Sequence, residues 1–211
     1  MDRCLAHRLS LSLPTLAVVG LIVLDRSPAA AEDGLSCTRS ALLLEQFGRQ
    51  FEACHELAYD GDPAVEYIVA EMYILGRGVP ADAGEGAVWL RRAADQGFAP
   101  AEAALGEVFR LGKGVDRNPA EAAKWCRRAA EQGFALAEQK LGEDYAEGNG
   151  VPRDNVLAYM WLTLAGGASP DAAHDERRRL AGRMTAEEIG LAEAFARGWR
   201  PRPAAGGLAG E

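Results

Sequence analysis

Residues 104–134 read ALGEVFRLGKGVDRNPAEAAKWCRRAAEQGF. Two apolar patterns of helical period lie on either side of a glycine-punctuated loop. Ahead of the loop, Ala101, Leu105 and Phe109 stand four residues apart, which puts them on one stripe of an α-helix. Gly112-x-Gly114-Val115 stops that helix, because a glycine just past a helix end can take the left-handed conformation that closes the last turn. Asn118 is placed to accept a bond from the free amides of a new first turn. Pro119 suits the first helical position, where a missing N–H costs nothing. Glu121 stands where it completes a capping box. The second helix carries Trp125 and Ala129-Ala130 and ends at Gly133.

Outward from this stretch the pattern repeats. Trp89, Trp125 and Trp161 are spaced by 36 residues, and at that period other columns align without a gap. Gly76, Gly112 and Gly148 form one column, followed by Gly78, Gly114 and Gly150 and by Val79, Val115 and Val151. Tyr73, Phe109 and Tyr145 form an aromatic column, Asp82, Asn118 and Asp154 a capping column, and Gly61, Gly97 and Gly133 the unit boundaries. Glu85 offers the first unit the same capping box as Glu121. The first helices are expected over roughly 64–75, 100–111 and 136–147, within units 63–98, 99–134 and 135–170. One such hairpin cannot bury its apolar face alone; stacking on neighbours buries it. The expected fold is therefore all-α, an α-solenoid of stacked antiparallel helix hairpins, with the tryptophans packing between units. Aromatics at only 7%, beside heavy use of Ala and Gly, argue against a β-sandwich.

The pattern Ala-x-x-x-Leu-Gly-x-x-Tyr-x-x-Gly-x-Gly-Val, continuing to Ala-x-x-Trp-x-x-x-Ala-Ala-x-x-Gly, resembles the Sel-one-like repeat, a relative of the tetratricopeptide repeat. The resemblance covers about residues 37–200 and is most specific over 63–170. It departs at Val69-Ala70, which replaces Leu-Gly in the first unit, and at Gly166-Gly167 in the third. It implies a curved superhelix that serves as an adaptor or scaffold, and an exported bacterial type.

Residues 37–62 keep the register through Ala58 and Gly61 but lack the Gly-x-Gly-Val loop, as a degenerate N-terminal capping hairpin would. Residues 171–200 predict two C-terminal capping helices, one over 171–183 and one over 185–199, with a capping box from Thr185 to Glu188 and Trp199 closing the core. Residues 201–211, rich in Pro, Gly and Ala, read as a disordered tail. At the other end, Arg3, His7 and Arg8 precede an apolar run from Leu9 to Leu24, and Ala29-Ala30-Ala31 supplies a small-residue cleavage site. Residues 1–31 are thus expected to be a signal peptide cleaved after Ala31, giving a periplasmic or secreted protein with no stable membrane insertion. The remaining chain has a net charge of −9, which disfavours nucleic acid as a partner.

Cys4 leaves with the signal segment. Cys54, Leu90, Cys126 and Leu162 share one repeat column, so Cys126 reads as a small buried apolar residue. Cys54 and Cys126 lie two units apart, too far for a bond that needs Cα atoms within roughly 7 Å. Cys37 with Cys54 remains a candidate disulfide stapling the N-terminal cap.

No nucleophile motif, metal-ligand spacing or phosphate loop stands out, so no catalytic residue, metal or cofactor is assigned. His55-Glu56 begins like a zinc-protease motif, but Tyr59 stands where the second ligand is needed. Charge is what recurs. Glu66, Glu102 and Glu138 form one column on the first helices, and Glu71, Glu107 and Glu143 a second. In tetratricopeptide-like solenoids the first helices line the concave face, so these six glutamates are the candidate partner-binding residues, suited to a protein or peptide with Lys or Arg. On the second helices, Arg91 with Asp95 and Arg127 with Glu131 have ion-pair spacing, and Arg92 and Arg128 extend that basic column on the opposite side. The expected function is a non-enzymatic scaffold or adaptor binding a protein or peptide. One alternative is a β-lactam-binding or cell-wall-compound enzyme like the cysteine-rich relatives, whose cysteines pair within each repeat. Another is a structural part of an envelope complex.

Overall fold

The computed structural model describes residues 47–166 and 170–202. The expected signal segment, Cys37 and residues 203–211 lie outside that range. Among the described residues there are nine helices and no strand: α1 (Phe47–Ala58), α2 (Pro63–Leu75), α3 (Ala83–Asp95), α4 (Ala99–Leu111), α5 (Pro119–Glu131), α6 (Ala135–Glu147), α7 (Asn155–Ala165), α8 (Pro170–Ala181) and α9 (Ala186–Gly198). Each of α1 to α7 packs on the next in chain order, so the hairpins α2–α3, α4–α5 and α6–α7 stack into one array. Both α8 and α9 pack on α7. No described helix is long and apolar enough to cross a membrane.

Local chemistry sets the helix ends. Asp82 Oδ1 accepts from the amides of Gly84 and Glu85 at 2.9 and 3.0 Å, Asn118 Oδ1 from Glu121 at 3.1 Å, and Asp154 Oδ1 from Val156 and Leu157 at 2.9 and 3.0 Å. The capping boxes expected from Glu85 and Glu121 do not close. The N-cap amides of Asp82 and Asn118 already donate to the carbonyls of Tyr73 and Phe109, each at 2.9 Å, so no N–H is left for either glutamate. Asp154 repeats this bond to Tyr145 at 2.9 Å, so the repeat ties each second helix to the end of the first. Among the described residues the one reciprocal box is that of Thr185 and Glu188 at the start of α9.

Tight crossing of the two helices in a hairpin needs a glycine on one side. In the second and third hairpins the first helix supplies it. A Cβ on Gly106 would stand 3.1 Å from the carbonyl oxygen of Ala122, and one on Gly142 would stand 3.2 Å from that of Ala158. In the first hairpin Ala70 replaces that glycine, and the partner column changes from Ala to Gly86, whose Cβ would stand 3.1 Å from the Ala70 carbonyl. The departure at Val69-Ala70 is therefore compensated across the crossing.

The core follows the columns. Leu90, Cys126 and Leu162 are buried, as are Val69, Leu105 and Leu141 and the alanines at 93, 94, 129, 130 and 165. Trp89, Trp125 and Trp161 are buried between units. Trp89 meets the rings of His55 on α1 and of Tyr59 just past its end, and Trp161 meets Trp199 edge to face at 5.8 Å. After α9 the chain turns back: the Arg202 amide donates to the Glu131 carbonyl at 2.7 Å, and Pro201 lies against Gly133. Pro201 and Arg202, which the sequence places in a disordered tail, are thus tied to the end of α5.

Candidate interaction surface

The two glutamate columns part company in the structure. Glu66 and Glu102 are 1% exposed and Glu138 is 4% exposed, so the first column does not line an open face. It lies between the helices of each hairpin. Arg92 reaches across from α3 and donates to Glu66 Oε1 from Nε at 3.0 Å and Nη2 at 2.9 Å, while Gln96 Nε2 donates to Oε2 at 2.7 Å. The second hairpin repeats the clamp: Arg128 Nη2 stands 2.8 Å from Glu102 Oε1 and Gln132 Nε2 donates to Oε2 at 2.7 Å. Arg128 Nη2 also donates to the Ala94 carbonyl at 3.0 Å, binding the end of α3 to α4 and α5. Burial still pushes the carboxyls of Glu66 and Glu102 above their ordinary range, against the pull of the arginines.

The expectation that Arg92 and Arg128 form a basic column opposite the glutamates is corrected by this geometry. The guanidiniums lie over the carboxylates, and each also stacks on the tryptophan of its own helix at 4.4 Å. The signal was present in the repeat, since Arg and Gln follow the glutamate by 26 and 30 residues in both units. The pairs Arg91–Asp95 and Arg127–Glu131 do not form among the described residues. Arg91 instead stacks on Phe109 and Trp125, and Arg127 donates to the Tyr145 hydroxyl at 2.6 Å. Glu131 pairs with Arg202 at 3.3 Å.

The second column reaches the surface. The Glu107 side chain is 46% exposed and accepts from Arg110 at 3.1 Å, and the Glu143 side chain is 30% exposed and accepts from Lys140 and Gln139, each at 2.9 Å. Glu71 is half-buried, accepts from the Tyr67 hydroxyl at 3.0 Å and has its carboxyl pushed up by burial. One turn further along the same stripe, Leu75 and Leu111 are exposed. Beneath this face Arg110 makes a two-pronged bond to buried Asp144, one prong at 2.9 Å, and so ties α4 to α6. The repeat does not point to this pair, because Asp144 stands in a column otherwise filled by Met72 and Val108.

Arg110 also approaches the Cys126 sulfur at 3.7 Å. Cys126 is a buried free thiol pushed up to about 11 chiefly by burial, the state of a packing residue. Cys54 is disulfide-bonded, and Cys37, its expected partner, lies outside the described residues. His55 stands among the rings of Phe51, Tyr59, Tyr73 and Trp89. Among the described residues no three of His, Cys, Asp and Glu gather as a metal site would need. A hollow of about 350 Å³ is lined by Glu131, Trp161, Trp199, Arg200 and Arg202.

No curated protein matches the chain. Solved structures do. A Sel1 repeat protein from Oxalobacter formigenes is similar at 31% identity and a TM-score of 0.57, over 62% of this chain and 98% of that one. A second, c5321, described as a protective antigen of uropathogenic Escherichia coli strains displaying an SLR fold, is similar at 25% identity and a TM-score of 0.54, over 78% of this chain and 43% of that one. The Sel1 repeat profile matches residues 51–98, 99–134 and 135–167. Those spans take in the three stacked hairpins with their shared caps and tryptophans, the first reaching back into α1, and the chain belongs to the Sel1 repeat family.

Proposed function

We propose that the chain is a scaffold that holds a protein or peptide against the face built by the first helices of its hairpins, without a covalent step. The observation that carries this reading is the repeated stripe on that face: Glu107 and Glu143 are half-exposed, Glu71 continues their column, and Leu75 and Leu111 stand bare beside them. Carboxylates spaced by one hairpin steer and register a partner's Lys or Arg side chains, and the leucines supply apolar contact. Glu66, Glu102 and Glu138 support the stripe from inside the hairpins. The signal-like residues 1–31 support action in the periplasm or outside the cell.

The test is crosslinked capture of partners in the envelope by the wild type and by a Glu107→Lys/Glu143→Lys variant. Both positions are surface carboxylates, so the melting temperature should move little, while recovery of the captured protein should fall at least about tenfold, the equivalent of about 1.4 kcal/mol. Equal capture by a variant that melts like the wild type would remove this face from the binding site.

A further inference from the structure

The third hairpin breaks the clamp. Its glutamate is kept at 138, but Leu164 replaces the arginine and Ala168 the glutamine. Glu138 is nevertheless 4% exposed. No described hydrogen bond or ion pair reaches its carboxyl, and the charged side chains described on the elements packed against α6 are engaged elsewhere. On α6 itself Lys140 holds Glu143, Asp144 holds Arg110 and Glu147 accepts from Asn149. On α5, Lys124 pairs with Glu121, Arg127 with Tyr145, Arg128 with Glu102 and Glu131 with Arg202. On α7 the one ionisable side chain is Tyr159, under Arg177. Among the described side chains of α8, His174 meets Arg177, Arg178 meets Asp175 and Arg179 meets Glu176.

We propose that Glu138 makes the C-terminal end of the array proton-controlled, with the α6–α7 hairpin and the helices packed on it tight while this carboxyl is neutral and loosened once it ionises. A carboxylate held between two helices without a counter-charge is costly, whereas a neutral carboxyl there is tolerated. Burial accordingly lifts Glu138 from 4.5 to about 7. Its folded value is raised, so the hairpin holds fully below the unfolded value and loses grip as pH rises through about 7. The first two hairpins, whose carboxylates are clamped, lack this sensitivity on the same scale. The surface around Glu143 is thus presented as a fixed shape at mildly acidic pH and relaxes above neutrality.

Hydrogen exchange of the whole chain, corrected for the intrinsic effect of pH, tests the proposal. Between pH 6 and pH 8 the protection of α6 and α7 amides should fall about tenfold relative to α2–α5, the change expected when opening lets such a group return to an ordinary carboxyl. Glu138→Gln, which keeps the shape and removes the titration, should abolish that difference. Leu164→Arg, which rebuilds the clamp, should also shrink it. Equal pH dependence at both ends of the wild type, or a tenfold change that survives in Glu138→Gln, overturns the proposal. Neither result bears on whether the Glu107 and Glu143 face captures a partner.

Discussion

Replacing Arg128 by leucine imitates in the second hairpin what the chain already does in the third. The change removes a guanidinium that bonds Glu102 at 2.8 Å and the Ala94 carbonyl at 3.0 Å. Removing one partner of a fully buried ion pair costs about 3–5 kcal/mol. Arg128 is 44% exposed and Gln132 still holds the other carboxylate oxygen, so solvent and the remaining bond recover part of that cost. The expected loss is about 2 kcal/mol at pH 8, a fall in melting temperature of roughly 4–8 °C for a domain of this size. The loss must depend on pH. Burial already raises the Glu102 carboxyl, and removing its cation raises it further. A raised folded value means stability present below the unfolded value and lost as pH rises, so the deficit should shrink to under about 1 kcal/mol near pH 4.5. Urea unfolding of wild type, Arg128→Leu and Arg128→Leu/Glu102→Leu at both pH values is the assay. The double variant should recover most of the loss at pH 8, because no buried charge is left without its partner. A deficit of equal size at both pH values, or a double variant no better than the single one, would refute the clamp as the source of stability.

Two further outcomes follow from packing and burial. Gly150→Ala should cost about 3 kcal/mol or more by thermal unfolding, because its φ is +71° and a Cβ would stand 2.0 Å from the Pro119 carbonyl oxygen, while Gly198→Ala, with open space around it, should change stability by less than about 1 kcal/mol. The Cys126 thiol should resist iodoacetamide at pH 8 in the folded protein and react after urea unfolding, as read by mass spectrometry, and rapid alkylation of the folded protein would contradict its burial.

How far the site was legible can be argued from two glutamates one turn and a half apart. Glu102 and Glu107 both recur at the repeat period, and period alone assigns both to the same ladder system. In the structure the first side chain is 1% exposed and the second 46% exposed. The difference is set by where α5 crosses α4, and no local pattern states that angle. The missing bonds from Glu85 and Glu121 have a similar origin. Their spacing is correct for a capping box, but the amides they need donate to Tyr73 and Phe109 across the loop. Pro201 and Arg202 look like tail by composition, yet they find the end of α5, where Arg202 pairs with Glu131, 71 residues earlier in the chain.

The sequence by itself determined what depends on neighbours along the chain. Period, helix starts at Asp82, Asn118 and Asp154, helix ends at Gly76, Gly112 and Gly148, and the buried tryptophan and leucine columns are short-range matters of capping, backbone freedom and amphipathic spacing. Only the tertiary structure decided which charges face inward. A carboxylate becomes a clamp, a surface contact or an isolated proton site according to which helix lies over it, and that is a property of packing between segments 26 to 34 residues apart. Glu66, Glu107 and Glu138 share a residue type and a repeat, and their different fates come from what packing sets beside each: Arg92 across the hairpin, an open surface shared with Arg110, and a position where the repeat replaces the arginine by Leu164.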